Sequence, residues 1–213
     1  MDWHLVNNSN KIILLTGTIN TNSCINTKRT NIDDRINDYY LNIGKLLEYS
    51  DIEIVFVENS NYPLGILEEY KENKRIEILQ FDGNNFDRNL GKGHGERNII
   101  NYAILNSRKL ANVEYLLKLT GRYSIKYDLI REHIDSEYLL YSKETDINDN
   151  WAFTGFFKIP KIEWIENIGN CMISDDPGCY IENVLASKIR SKDIVLIDDI
   201  GLSGISGTHN ETI

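Results

Sequence analysis

Apolar runs of strand length, separated by segments patterned as helices, fill most of residues 11–123, and this alternation constrains the fold more than any other feature. Lys11–Gly17 is the first run, and Asp51–Val57, Arg75–Phe81 and Tyr115–Leu119 follow. Runs this short and this continuously apolar fit strands buried on both faces, as in a parallel sheet. Between the first two, Thr30 is the expected N-cap of a helix with Asp33 and Asp34 in its first turn, where the helix dipole favours carboxylates. Ile36, Tyr40, Ile43 and Leu47 recur at helical spacing and predict its core-facing stripe. A short helix is expected over Leu64–Tyr70. A longer one is expected to open from the glycine-rich loop Gly91–Glu96, with Ile100, Ala103, Ile104 and Ala111 on one face. Such alternation implies parallel strands joined by right-handed crossovers, with helices on both faces of the sheet. Ligands then bind beyond the carboxyl ends of the strands, here Thr16–Thr18, Glu58–Asn61 and Thr120–Tyr123.

The pattern changes after residue 123. Glu137–Ser142 and Ile194–Ile197 read as strands, and Trp151–Phe157 as another, whole or interrupted at Gly155. Asp176 reads as the N-cap of a helix opening at Pro177, with Ile181, Val184, Leu185 and Ile189 as its apolar stripe. No linker or internal repeat divides the chain, and 213 residues suit one domain. The expected fold class is therefore α/β: a single Rossmann-like domain over 1–213, with a mixed, mostly parallel sheet flanked by helices.

The net charge of −9 argues against nucleic acid as a partner, while leaving room for a local basic pocket that takes a small anion. Asp2, His4 and the polar run at 7–10 leave no apolar core for a signal peptide, and the longest apolar runs are too short to span a membrane. Cys24, Cys171 and Cys179 form an odd, dispersed set without metal spacing, expected to be free thiols in a reducing compartment.

Four segments taken together carry a resemblance: Leu14–Thr18, Ile54–Ser60, Gly91–Glu96 and Lys118–Tyr123. In this order and spacing the chain resembles small GT-A-type glycosyltransferases of bacterial capsule and O-antigen assembly, closely over Lys11–Tyr123 and loosely beyond. The resemblance implies a hexosyl-type transferase using a nucleotide-sugar donor, with UDP as the expected nucleotide. It also implies a saccharide or lipid-linked oligosaccharide acceptor, and a cytoplasmic location at the inner face of the membrane with peripheral association. Residues 1–123 would form the donor half and 124–213 the acceptor half. A sugar-nucleotidyltransferase and a non-catalytic nucleotide- or glycan-binding module are the competing readings. The first is disfavoured because Leu14–Thr18 lacks the basic, glycine-rich signature expected after its first strand.

For donor binding, Thr16, Gly17 and Thr18 end the first strand, where Gly17 either lets backbone approach the nucleoside or merely turns the chain. Glu58 and Asn59 occupy the equivalent place after the second. Lys92, Gly93, His94, Gly95 and Glu96 form an amide-rich candidate cradle at a helix N-terminus, with Glu96 either contacting ligand or complementing the dipole. Many GT-A enzymes carry an Asp-x-Asp metal motif near Thr120, Gly121 and Arg122, and this chain has no carboxylate there. Arg122 is a planar cation suited to phosphate oxygens, so a metal-independent donor site is expected, with Mn or Mg left as the alternative. Either Lys118 or Lys92 assists it, unless Lys118 points away from the cleft. The other role open to Arg122 is pairing with a structural carboxylate.

Glu182 and Asp176 are the candidate catalytic bases for an inverting transfer. Glu182 lies off its helix's apolar stripe, so it is either solvated or aimed into the cleft. Asp175–Asp176 and Asp198–Asp199 are adjacent acidic pairs that stand as weaker metal candidates. Trp151, Phe153, Phe156 and Phe157 are either core or a platform for sugar rings. Gly201–Thr208 is either a lid or a frayed terminus.

Overall fold

Strand β1, Lys11–Gly17, shows how the sheet is built: Ile12 and Leu14 face one side and Ile13 and Leu15 the other, all buried. The computed structural model describes residues 11–21, 24, 26–131, 133–142, 144–189, 194–197, 200–206, 208 and 211–212. The expectations drawn from Asp2, His4, 7–10, Asp198 and Asp199 fall outside these residues. Helix α1 (Ile32–Leu47) leads to β2 (Ile52–Glu58), and a 3-10 helix over Gly65–Glu72 leads to β3 (Ile76–Gln80). Helix α2 (Gly91–Asn106) and a 3-10 turn (Lys109–Asn112) precede β4 (Tyr115–Thr120). Then follow β5 (Tyr123–Ser124), α3 (Tyr127–Arg131), β6 (Leu139–Ser142) and β7 (Phe156–Pro160). A single turn α4 (Lys161–Glu163) runs into a π-helical turn, Trp164–Ile168, before α5 (Ile181–Ile189), β8 (Ile194–Ile197) and β9 (Ser203–Gly204).

Seven strands form one sheet in the order β3-β2-β1-β4-β7-β6-β8. All adjacent pairs are parallel except β4–β7 and β6–β7, so β7 alone runs against the rest. The expected parallel half and mixed second half are both present. The chain steps outward from β1 through β2 to β3, then returns to place β4 on the other side of β1. That reversal opens a crevice beyond the carboxyl ends of β1 and β4. One sheet face packs against α2 and α5 through Val55, Leu116, Tyr141 and Phe157; the other packs against α1 through Ile54, Phe56, Leu117 and Leu140.

Several local expectations are corrected. Asn31, not Thr30, caps α1, its side chain accepting from the Asp34 amide at 2.9 Å. The buried face of α1 is Arg35, Tyr39, Asn42, Ile43 and Leu46, one residue round from the predicted stripe, because three polar side chains on that face find partners in neighbouring loops. Gly91–Glu96 is no loop but the first turns of α2, where a Cβ on Gly93 would meet Ile181 at 3.0 Å and one on Gly95 would meet Phe86 at 3.1 Å. Close packing therefore accounts for the middle and last of the three glycines. Ala111 lies in the turn after α2 rather than on it. Trp151 pairs with Asp146 in an isolated bridge, and the strand expected from it begins only at Phe156. Asp176–Pro177 belongs to a loop closed by the Cys179 amide donating to the Asp176 carbonyl at 2.9 Å, and α5 starts at Ile181.

Candidate active site

A cleft of about 660 Å³ occupies the crevice beyond β1 and β4. Thr16, Gly17, Thr18, Asn59, Lys92, Gly93, Gly95, Glu96, Thr120, Arg122 and Glu182, all picked from the sequence, line it. Glu58, His94, Gly121 and Asp176 do not. Glu58 is fully buried and clamps the loop after β1, its Oε1 accepting from the Ile19 and Ser60 amides at 2.9 Å each. The His94 ring lies against Phe86 and Arg97, and burial, with the Arg97 charge pushing the same way, holds its pKa below the ordinary value. Gly121 lets β1 and β4 close together, its amide donating to the Thr16 carbonyl at 2.9 Å. Asp176 is exposed and accepts from Ser174, while Asp175 takes the place in the cleft wall.

The wall beside β1 is cationic. Arg35, missed in the sequence because arginine interrupts no apolar stripe, is only 4% exposed. Its guanidinium donates to the Thr18 carbonyl at 2.6 Å, the Arg29 carbonyl at 2.8 Å and the Tyr39 hydroxyl at 3.0 Å. Burial depresses its pKa, and the nearby Arg122 charge pushes the same way. Arg122 donates to the Ile205 carbonyl and lies over the Tyr123 ring. Among the described residues neither arginine has a carboxylate ion-pair partner. Asp38 opposes the Arg35 shift from a distance, and two nearby guanidinium groups without a paired carboxylate form a ready receptor for phosphate oxygens. The segment after β8 completes this wall: β9 pairs with β5, and Leu202, Ser206 and Thr208 line the cleft.

The floor is a polar chain joining β4, α2, the loop before β7 and α5. Two-residue periodicity turns Lys118 of β4 to the same face as Leu116, toward α2 and α5, and away from the arginine wall. There its ammonium, wholly buried, pairs with Glu96 of α2 and donates to the Thr120 hydroxyl at 3.0 Å and the Thr154 carbonyl at 2.5 Å. Burial lowers the Lys118 pKa and Glu96 opposes that shift. The Thr154 hydroxyl in turn donates to Glu182 Oε1 at 3.0 Å. Burial raises the Glu182 pKa; the Glu96 carboxylate adds to this and Lys92 opposes it. Glu182 thus faces the cleft as a largely desolvated carboxyl, the environment that tunes general acids and bases.

Among the described residues no three of His, Cys, Asp or Glu come together as a metal-holding group, and the end of β4 presents Arg122 instead.

A mostly parallel sheet reversing direction at β1, flanked by helices and with a polar cleft at that point, defines an α/β architecture that is GT-A-like in its strand order. Among solved structures the chain is similar in fold to S. aureus TarS, at a TM-score of 0.50 and 13% identity, covering 89% of this chain and 35% of that one. The chain thus spans about a third of the TarS length. Weaker likenesses, to 4-diphosphocytidyl-2C-methyl-D-erythritol synthase (TM-score 0.46, 13% identity, 89% of each chain) and to the S. cerevisiae mannosyltransferase Ktr4p (0.41, 8%, 85% of this chain and 61% of that one), carry no argument. No protein-family model and no curated protein matches the sequence.

Proposed function

We propose that this chain is a glycosyltransferase moving a hexosyl group from a UDP-sugar to a saccharide acceptor, in bacterial surface-polysaccharide synthesis at the cytoplasmic face of the membrane. The observation that carries the proposal is the pair of carboxylate-free guanidiniums, Arg35 and Arg122, at the switch point of the sheet. Such a pair suits a phosphate anion, and the crevice beyond β1 and β4 is where sheets of this topology hold nucleotides. The sequence likeness over Lys11–Tyr123 supports the donor assignment, with 1–123 as the donor half and 124–213 as the acceptor half of one domain.

In this reading the two arginines hold the diphosphate and stabilise the charge that builds on it as the glycosidic C–O bond breaks. Glu182 takes the proton from the acceptor hydroxyl, whose oxygen attacks the anomeric carbon from the opposite face, so the transfer inverts configuration. Thr154 orients Glu182, and the Lys118–Glu96 pair fixes Thr154. No metal is used in this scheme.

The test is UDP affinity by calorimetry and UDP release from a panel of UDP-sugars, each with and without EDTA. UDP should bind, turnover should persist in EDTA, and product NMR should show inversion. Arg122→Ala should weaken UDP binding by roughly ten- to 150-fold, since charge-assisted hydrogen bonds contribute about 1.5–3 kcal/mol. Binding without turnover would favour the non-catalytic module, and pyrophosphate release from a nucleoside triphosphate and a sugar phosphate would favour a nucleotidyltransferase. UDP affinity that is absent, or indifferent to Arg122→Ala, refutes the donor site. Loss of turnover in EDTA with rescue by manganese refutes the metal-free scheme.

A further inference from the structure

The aromatic cluster splits in the fold. Phe156 and Phe157 are fully buried on opposite faces of β7, whereas Trp151 and Phe153 line the cleft, with Trp151 39% exposed. The loop presenting them is built to hold its shape. Asp146 and Trp151 exchange two backbone hydrogen bonds of 2.8 Å, and Asp146 Oδ1 accepts from the Asn148 amide at 2.9 Å. Two bonds tie the loop to α5: Ala152 donates its amide to the Glu182 carbonyl at 3.1 Å, and the Asn183 side chain donates to the Asn150 carbonyl at 2.6 Å. An accessible Trp ring lining the cleft with a second aromatic, on a loop tied to α5, is a platform on which the apolar face of a sugar ring can stack.

Glu144, Asp175 and Glu182 line the same cleft as Trp151 and Phe153; Glu182 is tied to the Trp151 loop through the Ala152 amide, and Lys92 faces Glu182 from α2 while donating to Thr208. An anionic ligand stacked on Trp151 would come up beside the Glu182 carboxylate in a cleft that Glu144 and Asp175 also line, so its charge is opposed. A neutral or amino-bearing sugar would not be.

We propose that Trp151 and Phe153 form the acceptor subsite, taking the apolar face of a neutral or amino pyranose and setting its hydroxyl against Glu182, and that Glu144 and Asp175 reject anionic sugars such as uronates. The proposal rests on the glycosyltransferase reading and deepens it by naming the acceptor's chemical class. It requires binding of a sugar without a donor sugar or turnover, and so can be tested apart from catalysis.

The experiment is saturation-transfer NMR on the full chain with methyl glucoside, methyl galactoside, methyl N-acetylglucosaminide and methyl glucuronide as probes, each with and without UDP. At least one neutral probe should bind through its ring C–H groups, and the glucuronide should bind at least about fivefold more weakly than methyl glucoside. Trp151→Ala should weaken the neutral probe about five- to tenfold, and Trp151→Phe should restore most of that loss. UDP affinity should stay unchanged in both variants, which shows the fold intact. Glu144→Gln should narrow the gap between glucuronide and glucoside. Equal binding of the neutral probe to Trp151→Ala, glucuronide binding as tight as glucoside, or no binding by any neutral probe overturns the subsite. Failure of UDP to bind while a neutral probe still docks on Trp151 leaves the subsite standing and refutes the donor reading instead.

Discussion

Removing the charge of Glu96 should destabilise the fold by about 3 kcal/mol, because it strands a buried ammonium. Lys118 is wholly buried on the central strand β4, and Glu96, a fifth exposed, is its carboxylate partner. Breaking a buried pair by deleting one member costs roughly 3–5 kcal/mol, since the survivor keeps its desolvation cost without its compensation. The lower end applies here, because water reaches Glu96 and Lys118 retains the Thr154 carbonyl and Thr120 hydroxyl. For a chain of 213 residues about 3 kcal/mol corresponds to a fall in Tm of roughly 6–12 °C in Glu96→Gln. Replacing both members, Lys118→Met with Glu96→Gln, should recover most of that loss, as apolar replacements of buried pairs are often neutral. The assay is urea unfolding of wild type, both single variants and the double, with the coupling energy read from the cycle. The sign with pH follows from burial lowering the Lys118 pKa below its ordinary 10.5. The unfolded chain then binds more protons between the folded value and 10.5, so stability rises with pH across that window. Losing Glu96 pushes the folded value lower, so the deficit of Glu96→Gln should shrink as pH rises toward about 10. A Glu96→Gln loss below about 0.5 kcal/mol, or four stabilities that simply add, would refute the argument.

Other consequences are as direct. Glu182→Gln should lower kcat by roughly 10²–10⁴ while UDP affinity stays within about twofold; near-normal turnover removes the base. Since burial raises the Glu182 pKa and the base works deprotonated, wild-type turnover should climb with pH through a value above 4.5, a limb absent from any residual activity of Glu182→Gln. Arg35→Met should weaken UDP as Arg122→Ala does, whereas Arg35→Lys should recover only part, because an ammonium cannot reproduce the fork that also holds Thr18 and Tyr39. Gly121→Ala should cost about 1–3 kcal/mol in urea unfolding, its Cβ falling 2.9 Å from the Thr16 carbonyl; a neutral change would mean that β1 and β4 are less tightly apposed.

Legibility in the sequence followed the range of the interaction. β1 carries the bounds read from its apolar run, and β2, β3 and β4 fall within a residue of theirs. Helix caps and glycines were harder, because their explanation is a neighbour rather than a pattern. Gly93 is small because Ile181 of another helix packs on it, and Asp176 precedes no helix because Ser174 and Cys179 close its loop. Arg35 and Tyr39 stood on α1 as a row of polar and aromatic residues without visible purpose until the loop after β1 came to lie over them.

The amino-acid order alone determined that this chain builds a parallel α/β half, and that Thr16–Thr18, Asn59 and Thr120–Arg122 end its strands, because burial on both faces of a strand is written residue by residue. Only the tertiary structure decided which of those ends meet. Sheet order places β4 beside β1 and β7 beside β4, and this gathers Arg35, Arg122, Glu182 and Trp151 around one cleft, with the buried Lys118 beneath it holding Glu96 and Thr154. Desolvation and charge proximity depend on distances between segments far apart in the chain, and those exist only once the sheet has closed its order.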